Sequence, residues 1–307
     1  MIACRTPKSI LLLQELRAPF FSASIIPVLV GSACACYHTG QWHWSLFCWT
    51  LLGVVSIHAG ANVANDYFDH LSGNDAANAD FIHPFTGGSR MIQNKLLTPR
   101  EVLFLALGCF ATGGAIGLYL FLLAGPPVLW LGLIGIAGGF FYTAPPVNLS
   151  ARGLGEPVIA LLFGVLPTLG AYYVQTRHFP FDVLILSLPV AVLILMVLFI
   201  NQFPDYRADA VVGKYTWVVR LGRRRAAQFY TVLMGLWPLP ILAVVGTGWY
   251  PTWLLLALAP GLIAAWTVPR VLRYYDQPRM LAPVNALTIA LHASVGIIML
   301  LVLVGCR

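Results

Sequence analysis

The chain has 307 residues, of which 59% are hydrophobic and only 9% are charged, and its formal net charge is +7. A soluble domain carries about a quarter charged residues, so this composition excludes an ordinary soluble fold and indicates a protein of the lipid bilayer. Because a run of membrane-spanning helices folds as one bundle, we predict a single domain over residues 1–307.

Nine apolar segments are long enough to cross a bilayer, which requires about 20 helical residues. The predicted spans are residues 19–38, 44–64, 102–123, 128–144, 157–175, 182–201, 227–247, 253–269 and 284–304. Arg5 and Lys8 precede the first span, as basic residues precede the apolar part of a signal peptide. The small-residue cleavage site of a signal peptide is absent, so we predict that the first segment is retained. The predicted fold class is therefore all-α, with nine transmembrane helices.

The basic residues predict how these helices are oriented. If the N-terminus is cytoplasmic, all 18 Lys and Arg residues except Arg177 and Arg307 fall on the cytoplasmic side. Cytoplasmic loops are enriched in Lys and Arg, and one missed span would invert every later loop. We therefore expect a cytoplasmic N-terminus and an external C-terminus. The expected location is the cytoplasmic membrane of a prokaryote, with a plastid membrane as the alternative.

Glycines recur in the third and fourth spans. Gly113 and Gly117 form a G-x-x-x-G pattern, and Gly135, Gly138 and Gly139 follow in the next span. Small residues allow membrane helices to approach closely. These glycines therefore predict tight packing between neighbouring helices.

The acidic residues are concentrated directly after two of the spans. The chain has 11 Asp and Glu residues, and those that follow the second and sixth spans are Asp66, Asp69, Asp75, Asp80, Asp205 and Asp209. Because both spans are even-numbered, both acidic groups emerge on the same predicted face of the membrane. We therefore expect them to form one site.

Each acidic group has helical spacing. Asn65 and Asp69 lie four residues apart, and Asn201, Asp205 and Asp209 also step by four. Residues at this spacing share a helix face, and carboxylates clustered near hydrocarbon repel unless a cation neutralises them. Oxygen ligands favour Mg²⁺, which binds one or two carboxylates and completes its shell with phosphate oxygens. The pattern therefore predicts two Mg²⁺ ions that clamp a diphosphate.

Other readings of these carboxylates stay open on the residues alone. They could be solvated loop charges that pair with Arg90, Arg207 or Lys214. Intramembrane acids also line the cation pathways of transporters, but such acids lie near mid-span, and the centres of these spans carry almost none. A membrane scaffold would give no reason for two facing carboxylate stripes.

Both motifs resemble those of the UbiA superfamily of intramembrane prenyltransferases. The stretch from Asn65 to Asp75 resembles the first aspartate-rich motif of that family, and Asn201 to Gly222, with its Gly213-Lys214 pair, resembles the second. The resemblance implies nine helices around a central cavity that is capped on the cytoplasmic side. It also implies Mg²⁺-dependent transfer of a polyprenyl group from its diphosphate to an acceptor in the membrane.

Within the superfamily, the motifs are most similar to the branch that prenylates 1,4-dihydroxy-2-naphthoate, with loss of its carboxylate, in menaquinone or phylloquinone biosynthesis. Gly73 stands where the commonest first motif has its third aspartate, and Asp75 follows two residues later. The Arg-Thr-x-x-Arg-Pro string of the haem and chlorophyll branch is absent. The motifs leave hydroxybenzoate, homogentisate, 1,4-dihydroxy-6-naphthoate and a glycerol phosphate open as acceptors.

The resemblance assigns roles to the acidic residues. Asp66 and Asp69 are expected to hold one Mg²⁺ ion, and Asp205 and Asp209 the other. Asp75 is an additional candidate ligand. The ions would neutralise charge on the leaving diphosphate, and an allylic cation would then alkylate an electron-rich aromatic carbon.

The remaining candidates surround the diphosphate. Its predicted ligands are Asn65, Asn201, Lys214, Arg152, Lys95 and Arg17. Tyr142 is placed near the allylic carbon, where its ring would stabilise cation character, and the long loop of residues 70–100 is predicted to act as a lid. The expected partners are a polyprenyl diphosphate, an aromatic acceptor and membrane lipids, with no nucleic acid.

Overall fold

The computed structural model describes residues 7–306, and every regular element in that part of the chain is helical. Arg5 and Arg307, two of the cations counted above, lie outside the described residues. The α-helices are α1 (Lys8–Glu15), α2 (Ser22–Thr39), α3 (Trp44–Ser72), α4 (Asn74–Ala77), α5 (Pro99–Ala124), α6 (Pro126–Phe140), α7 (Gly155–Ala160), α8 (Leu166–Thr176), α9 (Phe181–Val211), α10 (Trp217–Leu221), α11 (Arg223–Leu236), α12 (Leu239–Gly246), α13 (Ala264–Tyr274) and α14 (Pro278–Gly305). Shorter helical segments are the 3₁₀ turns Ala18–Phe21, Ser150–Arg152 and Thr252–Ile263, and the π-helical Leu161–Val165 between α7 and α8.

Eight helical stretches of the described chain are long and apolar enough to cross a membrane. They are Lys8–Thr39, Trp44–Ser72, Pro99–Ala124, Gly155–Thr176, Phe181–Val211, Arg223–Gly246, Thr252–Tyr274 and Pro278–Gly305. A further apolar helix, α6, lies at the predicted fourth span but has only 15 residues. The all-α prediction is confirmed, whereas the count of nine spans and the orientation of the termini stay predictions.

The two helices that carry the polar motifs extend beyond their predicted spans. α3 continues to Ser72 rather than ending near residue 64, and α9 continues to Val211 rather than 201. Both motifs are therefore helical, as their four-residue spacing predicts. Their charged ends stay helical because partners across the bundle, described below, satisfy the side chains.

Local signals end these helices close to the site. Gly73 has a left-handed φ of 77°, which a residue without a Cβ adopts at little cost, and it separates α3 from α4. Thr98 begins α5 with a capping box: its hydroxyl accepts the Glu101 N–H, and the Glu101 carboxylate accepts the Thr98 N–H. The loop of residues 78–98 lies between these two breaks.

The helices pack as two groups with separate hydrophobic clusters. α2 packs against α8, α9 and α14, whereas α3 packs mainly against α5 and α6. The larger cluster joins α2, α9 and the C-terminal helices around Phe199, Tyr230 and Trp237. The smaller one surrounds Val63 on α3 and Phe110 on α5. The two motifs thus belong to different groups, and the site forms between the ends of α3 and α9, where α4 packs against α9.

The outer surface of the described helices is strongly apolar. Phe104, Leu122, Trp253, Leu262 and Leu301 are each more than 60% exposed. Apolar surface of this extent is unfavourable in water and suits the hydrocarbon core of a bilayer.

Candidate active site

A cavity of about 380 Å³ lies between α2, α3, α9 and α14, at the end of the bundle that carries both motifs. The motif residues on its wall are Asn62, Asn65, Asp69, Asp75, Asn201, Asp205 and Asp209. The rest of the wall is mostly apolar and includes Phe163, Val197 and Ile289. The structure therefore brings residues of both motifs to the wall of one cavity, and their action as one site stays a prediction.

Lys214, which follows α9, joins the two motifs. Its Nζ lies 3.1 Å from Asp69 Oδ2 and 3.9 Å from Asp209 Oδ1. Burial acts to lower the pKa of Lys214, but the Asp69 and Asp209 carboxylates outweigh it and raise the pKa. The ammonium group therefore stays charged, and one cation holds the ends of α3 and α9 together.

Two asparagines near the end of α3 reach the carboxylates of the second motif. Asn74 Nδ2 donates to Asp209 Oδ1 at 3.1 Å, and Asn78 Nδ2 donates to Asp205 Oδ1 at 2.7 Å. The Oδ1 atoms of both asparagines are buried, with no hydrogen-bond partner among residues 7–306. Neither asparagine was predicted as a site residue, although their spacing of four, at the end of the first motif and just after it, was an available signal.

Asp75 reaches the cavity from α4. The left-handed turn at Gly73 redirects the chain, so that Asp75 is only 5% exposed and its Oδ2 accepts from Gln93 Nε2 at 2.8 Å. Burial, reinforced by Asp69 and Asp66, raises the pKa of Asp75 to about 7. A carboxylate displaced by two residues thus still lies at the site, because a glycine turn replaces the missing aspartate.

Asp66 lies behind the cavity wall rather than on it. Its Oδ2 accepts the Ser89 N–H at 2.8 Å, and its Oδ1 lies 3.4 Å from Arg17 Nη1. The loop can approach this closely because residue 88 is a glycine, on which an added Cβ would lie 2.8 Å from Asp66 Oδ1. Asp66 thus ties the 78–98 loop and Arg17 to α3, and its role as a metal ligand stays a prediction.

The loop of residues 78–98 covers the cavity, as expected of a lid. Pro84, Phe85, Thr86, Gly87 and Gly88 line the cavity from this loop. Asp66 anchors the middle of the loop, and the Asn78 amide anchors its beginning. The loop therefore forms part of the cavity wall and is attached to both motifs.

The structure does not bring Arg152 or Lys95 to the cavity. Arg152 is exposed, and its Nη2 donates to the Pro146 carbonyl at 2.9 Å. Lys95 is exposed on the loop before α5. Their prediction as diphosphate ligands depended on their charge and on the face of the membrane. Those two properties place a cation at one end of the bundle but not inside a particular cavity.

Buried Glu156 on α7 positions the segment that follows Lys214. Glu156 Oε1 accepts the backbone N–H of Trp217 at 2.6 Å and Nε2 of Gln202 at 2.9 Å. These contacts fix the start of α10 against α9, and therefore fix the direction from which the Lys214 side chain enters the cavity.

The other predicted site residues all lie on the cavity wall. Asn65 Nδ2 donates to Asp69 Oδ2 at 3.2 Å, and Asn201 Oδ1 accepts from Asn285 Nδ2 at 2.7 Å. Tyr142 also lines the cavity, and burial raises its pKa, so that the phenol stays neutral.

A second, apolar cavity of about 120 Å³ lies among α2, α3, α5, α6 and α8. The residues that line both cavities are His58, Ala61, Gly139, Leu162 and Phe163. The two cavities therefore adjoin at this junction. Together they offer a polar chamber that leads into an apolar one.

Glycines make room for the apolar cavity. An added Cβ at Gly117, Gly132 or Gly135 would meet nothing within 4 Å, and all three residues line the cavity. The predicted close helix packing is therefore wrong for Gly117 and Gly135. It holds for Gly113, where a Cβ would lie 2.6 Å from Ile57. Sequence spacing does not distinguish a glycine that packs against a helix from one that lines a void.

Comparison with known proteins identifies the family. The sequence profile of the UbiA prenyltransferase family matches residues 24–303. The chain belongs to the UbiA prenyltransferase family. It is therefore an integral membrane prenyltransferase, and this assignment sets aside the transporter and scaffold readings of its carboxylates.

Relatives and solved structures agree with this assignment. The prenyltransferase is 30% identical over 291 residues to the 2-carboxy-1,4-naphthoquinone phytyltransferase of Synechocystis sp.. This alignment covers 94% of this chain and 91% of the relative. It is 30% identical to the 1,4-dihydroxy-2-naphthoate octaprenyltransferase of Mycobacterium leprae, over 84% of this chain and 82% of that one. The solved UbiA homolog from Archaeoglobus fulgidus bound to DMAPP and Mg²⁺ matches with a TM-score of 0.62 at 17% identity, over 94% of this chain and 98% of that chain.

The cavity residues of this prenyltransferase fit Mg²⁺. The described residues include no group of three or more His, Cys, Asp or Glu that could hold a metal ion unaided. Mg²⁺ needs no such group, because it takes one or two carboxylates and fills its shell with phosphate oxygens and water. The buried, unpartnered Oδ1 atoms of Asn74 and Asn78 add neutral oxygen donors beside Asp209 and Asp205.

Replacement of Lys214 by Met should lower the rate of prenyl transfer by about a hundredfold, the cost of losing one charged group that stabilises a transition state. It should also lower the thermal unfolding midpoint in EDTA, because Asp69 and Asp209 then repel without their shared partner. Turnover and thermal unfolding in detergent measure the two effects.

Lys95→Met is the matched control, because Lys95 is exposed and lies away from the cavity. It should leave both quantities unchanged. Equal turnover in wild type and Lys214→Met, or an equal loss in Lys95→Met, would contradict the position assigned to Lys214.

Proposed function

We propose that this prenyltransferase moves a polyprenyl group from its diphosphate to 1,4-dihydroxy-2-naphthoate, in menaquinone-type quinone biosynthesis. The observation that carries the proposal is the junction of a carboxylate-lined cavity with an apolar one, because a prenyl diphosphate has the same division between charge and hydrocarbon. The acceptor is supported by the name of the Mycobacterium leprae relative, a 1,4-dihydroxy-2-naphthoate octaprenyltransferase that is 30% identical over 82% of its length. The Synechocystis relative is named for the corresponding oxidised acceptor, 2-carboxy-1,4-naphthoquinone.

The diphosphate would lie between the two motifs. Asp69 with Asp75, and Asp205 with Asp209, would hold one Mg²⁺ ion each. When bound, Mg²⁺ supplies Lewis-acid neutralisation of the leaving diphosphate. Lys214 would contribute a fixed positive charge to the same oxygens as the bond to carbon breaks.

The protein must keep water away from the allylic cation that remains. The 78–98 loop covers the polar side of the cavity, and Phe163 lies at its apolar junction. The neutral ring of Tyr142 on the cavity wall would stabilise the cation through its π face. The ring carbon that carries the acceptor carboxylate then forms the new bond to the allylic carbon. The acceptor carboxylate leaves as carbon dioxide, its bonding electrons return to the ring, and diphosphate is the other product.

The prenyl chain would extend from the junction into the apolar cavity. The small side chains there, including Gly132 and Gly135, leave space that hydrocarbon can fill. Because apolar groups gain free energy on leaving water, this cavity would orient the donor with its diphosphate toward the carboxylates.

We place the site on the cytoplasmic side of a prokaryotic membrane, in a bundle of nine spans that counts α6. The support is the distribution of basic residues, since all 18 Lys and Arg residues but two fall on one side for this topology. The polar substrate and its metal would then be drawn from the cytoplasm.

The reaction is tested with purified protein, geranylgeranyl diphosphate and a panel of acceptors in Mg²⁺ or EDTA. The panel includes 1,4-dihydroxy-2-naphthoate, its oxidised quinone, 1,4-dihydroxy-6-naphthoate, hydroxybenzoate, homogentisate and glycerol phosphate. We expect Mg²⁺-dependent product with 1,4-dihydroxy-2-naphthoate. Product with another acceptor alone would overturn the acceptor assignment but keep the chemistry.

The same assay tests the metal-binding carboxylates with a matched pair of variants. Asp205→Asn should lower turnover by a factor on the order of a hundred or more, because it removes a charge at the proposed metal site. Asp80→Asn should have little effect, since Asp80 is exposed and pairs with exposed Arg207 at 3.6 Å. Similar losses of turnover in the two variants would mean that turnover depends on the total negative charge of the protein and not on a carboxylate at the proposed metal site.

Replacement of Gly135 by Leu should shorten the prenyl chain that the enzyme accepts. An added Cβ at residue 135 would meet no atom within 4 Å, so the leucine side chain would extend into the apolar cavity that Gly135 lines. We expect turnover with dimethylallyl or geranyl diphosphate to be retained and turnover with geranylgeranyl diphosphate to fall about tenfold or more, the cost of excluding a few methylene groups.

Gly108→Leu is the control for Gly135→Leu. Gly108 is also helical, with open space around an added Cβ, but it does not line the apolar cavity. An unchanged preference for chain length in Gly135→Leu would show that the prenyl chain lies elsewhere.

A further inference from the structure

His292 on α14 is a buried polar side chain that the proposed reaction has not used. It is only 2% exposed, and its side chain lines the main cavity. Its Nε2 has no hydrogen-bond partner among the described residues. A buried polar group without a partner destabilises a folded protein, so its presence on a cavity wall indicates a partner that arrives with a ligand.

The other histidine on the cavity wall does not share this property. His58 Nδ1 forms a hydrogen bond with Ser24 Oγ at 2.8 Å, and its ring packs edge-on against Phe163 at 4.6 Å between centroids. His58 is therefore held by the protein itself, whereas His292 is not.

Neighbouring polar groups on α14 also have protein partners. Asn285 donates to Asn201 at 2.7 Å, and the Thr288 hydroxyl bonds to the Tyr230 hydroxyl at 2.8 Å. His292 follows them one turn further along an otherwise apolar helix. Of these three side chains, His292 alone has no hydrogen bond to the protein.

The part of the cavity wall around α14 suits an aromatic ring. Ala23 from α2, Val197 from α9 and Ile289 from α14 line the cavity there with apolar side chains. The carboxylates and Lys214 belong to the ends of α3 and α9 and to the segment after α9. A flat acceptor against the apolar wall would lie next to the donor without competing for its diphosphate site.

We propose that His292 binds a ring oxygen of the aromatic acceptor. This inference rests on the proposed function and adds the residue that recognises the acceptor. In either neutral tautomer, an imidazole offers one nitrogen that accepts a hydrogen bond, and a phenolic hydroxyl is a suitable donor. A phenolic hydroxyl that donates a hydrogen bond to His292 would also release more electron density into the aromatic ring. An electron-rich ring attacks the allylic carbon more readily.

Replacement of His292 should change acceptor binding without changing the stability of the substrate-free protein. Leucine in place of His292 removes a buried group that lacks a protein partner, so the substrate-free protein should not be destabilised. The same change should weaken acceptor binding, because the acceptor hydroxyl then enters an apolar pocket without a hydrogen bond. A residue with a purely structural role would show the opposite combination.

The test compares His292→Leu, His292→Gln and the control Thr288→Val with wild type. Thr288 lies one turn away on α14, is fully buried and does not line the cavity. For each protein we would measure the KM for 1,4-dihydroxy-2-naphthoate, the KM for geranylgeranyl diphosphate and the thermal midpoint without substrates. Equilibrium dialysis of the acceptor in EDTA would add a binding constant that is independent of turnover.

We expect His292→Leu to raise the acceptor KM and dissociation constant about tenfold, the typical effect of one lost hydrogen bond. The donor KM and the thermal midpoint should stay as in wild type. His292→Gln should recover part of the acceptor affinity, because its amide can still hydrogen-bond a hydroxyl. Thr288→Val should leave both KM values unchanged.

Two results would overturn the inference. One is an acceptor dissociation constant within twofold of wild type in His292→Leu. The other is a lowered thermal midpoint together with equal rises in both KM values, which would make His292 structural. Absence of product from any aromatic acceptor in folded wild-type protein would instead overturn the proposed function, and the acceptor site with it.

Discussion

Carboxylates from two helices must lie close together at one end of this bundle without driving the helices apart. Asp69 and Asp209 share the ammonium of Lys214, and two asparagine amides hold the second motif from the side of the first. α3 and α9 belong to different packing groups, so these contacts join the two halves as well as satisfying the charges. A prenyl diphosphate with its cations would place further positive and negative charge at the same point.

The same arrangement explains why the site handles a molecule with a charged head and an apolar tail. The carboxylates lie at the helix ends, where the loop of residues 78–98 covers them, and the small residues of α3, α5 and α6 open a void further along the bundle. His58 and Phe163 lie where the two spaces meet. Charge compensation and hydrocarbon space are therefore continuous, and both depend on the separation between α3 and the group of helices around α9.

The sequence predicted the parts of the fold that depend on long-range periodicity. Nine apolar segments correspond to helices in the described chain. The even number of both motif-bearing spans predicted that Asp69 and Asp209 would lie close together, and both line one cavity. The predicted second span ended at residue 64, because hydropathy ends a span where charge begins, whereas α3 continues to Ser72. The four-residue spacing of Asn65 and Asp69 was the signal that predicted this continuation. α6 has 15 residues, fewer than the length that a perpendicular span requires.

Sequence patterns do not show side-chain direction, which decides whether a residue lies on the cavity wall. Arg152 and Lys95 were predicted as diphosphate ligands from their charge, but they lie on exposed segments away from the cavity. Asn78 and His292 do not belong to a charged pattern in the sequence. Their surroundings make them candidate site residues: Asn78 contacts a carboxylate, and His292 lies on an apolar part of the cavity wall. Only the packing of α4 and α14 against α9 shows these environments.

The central claim is that the two motifs form one site that binds one diphosphate, and a double-mutant cycle tests it most directly. The dissociation constant of a non-hydrolysable prenyl thiodiphosphate would be measured in Mg²⁺ for wild type, Asp69→Asn, Asp209→Asn and the double variant. If both carboxylates act on the same bound group, their effects are not additive, with a coupling free energy of about 1 kcal/mol or more. Effects that add to within about 0.3 kcal/mol would show that the motifs act independently, and would contradict the account.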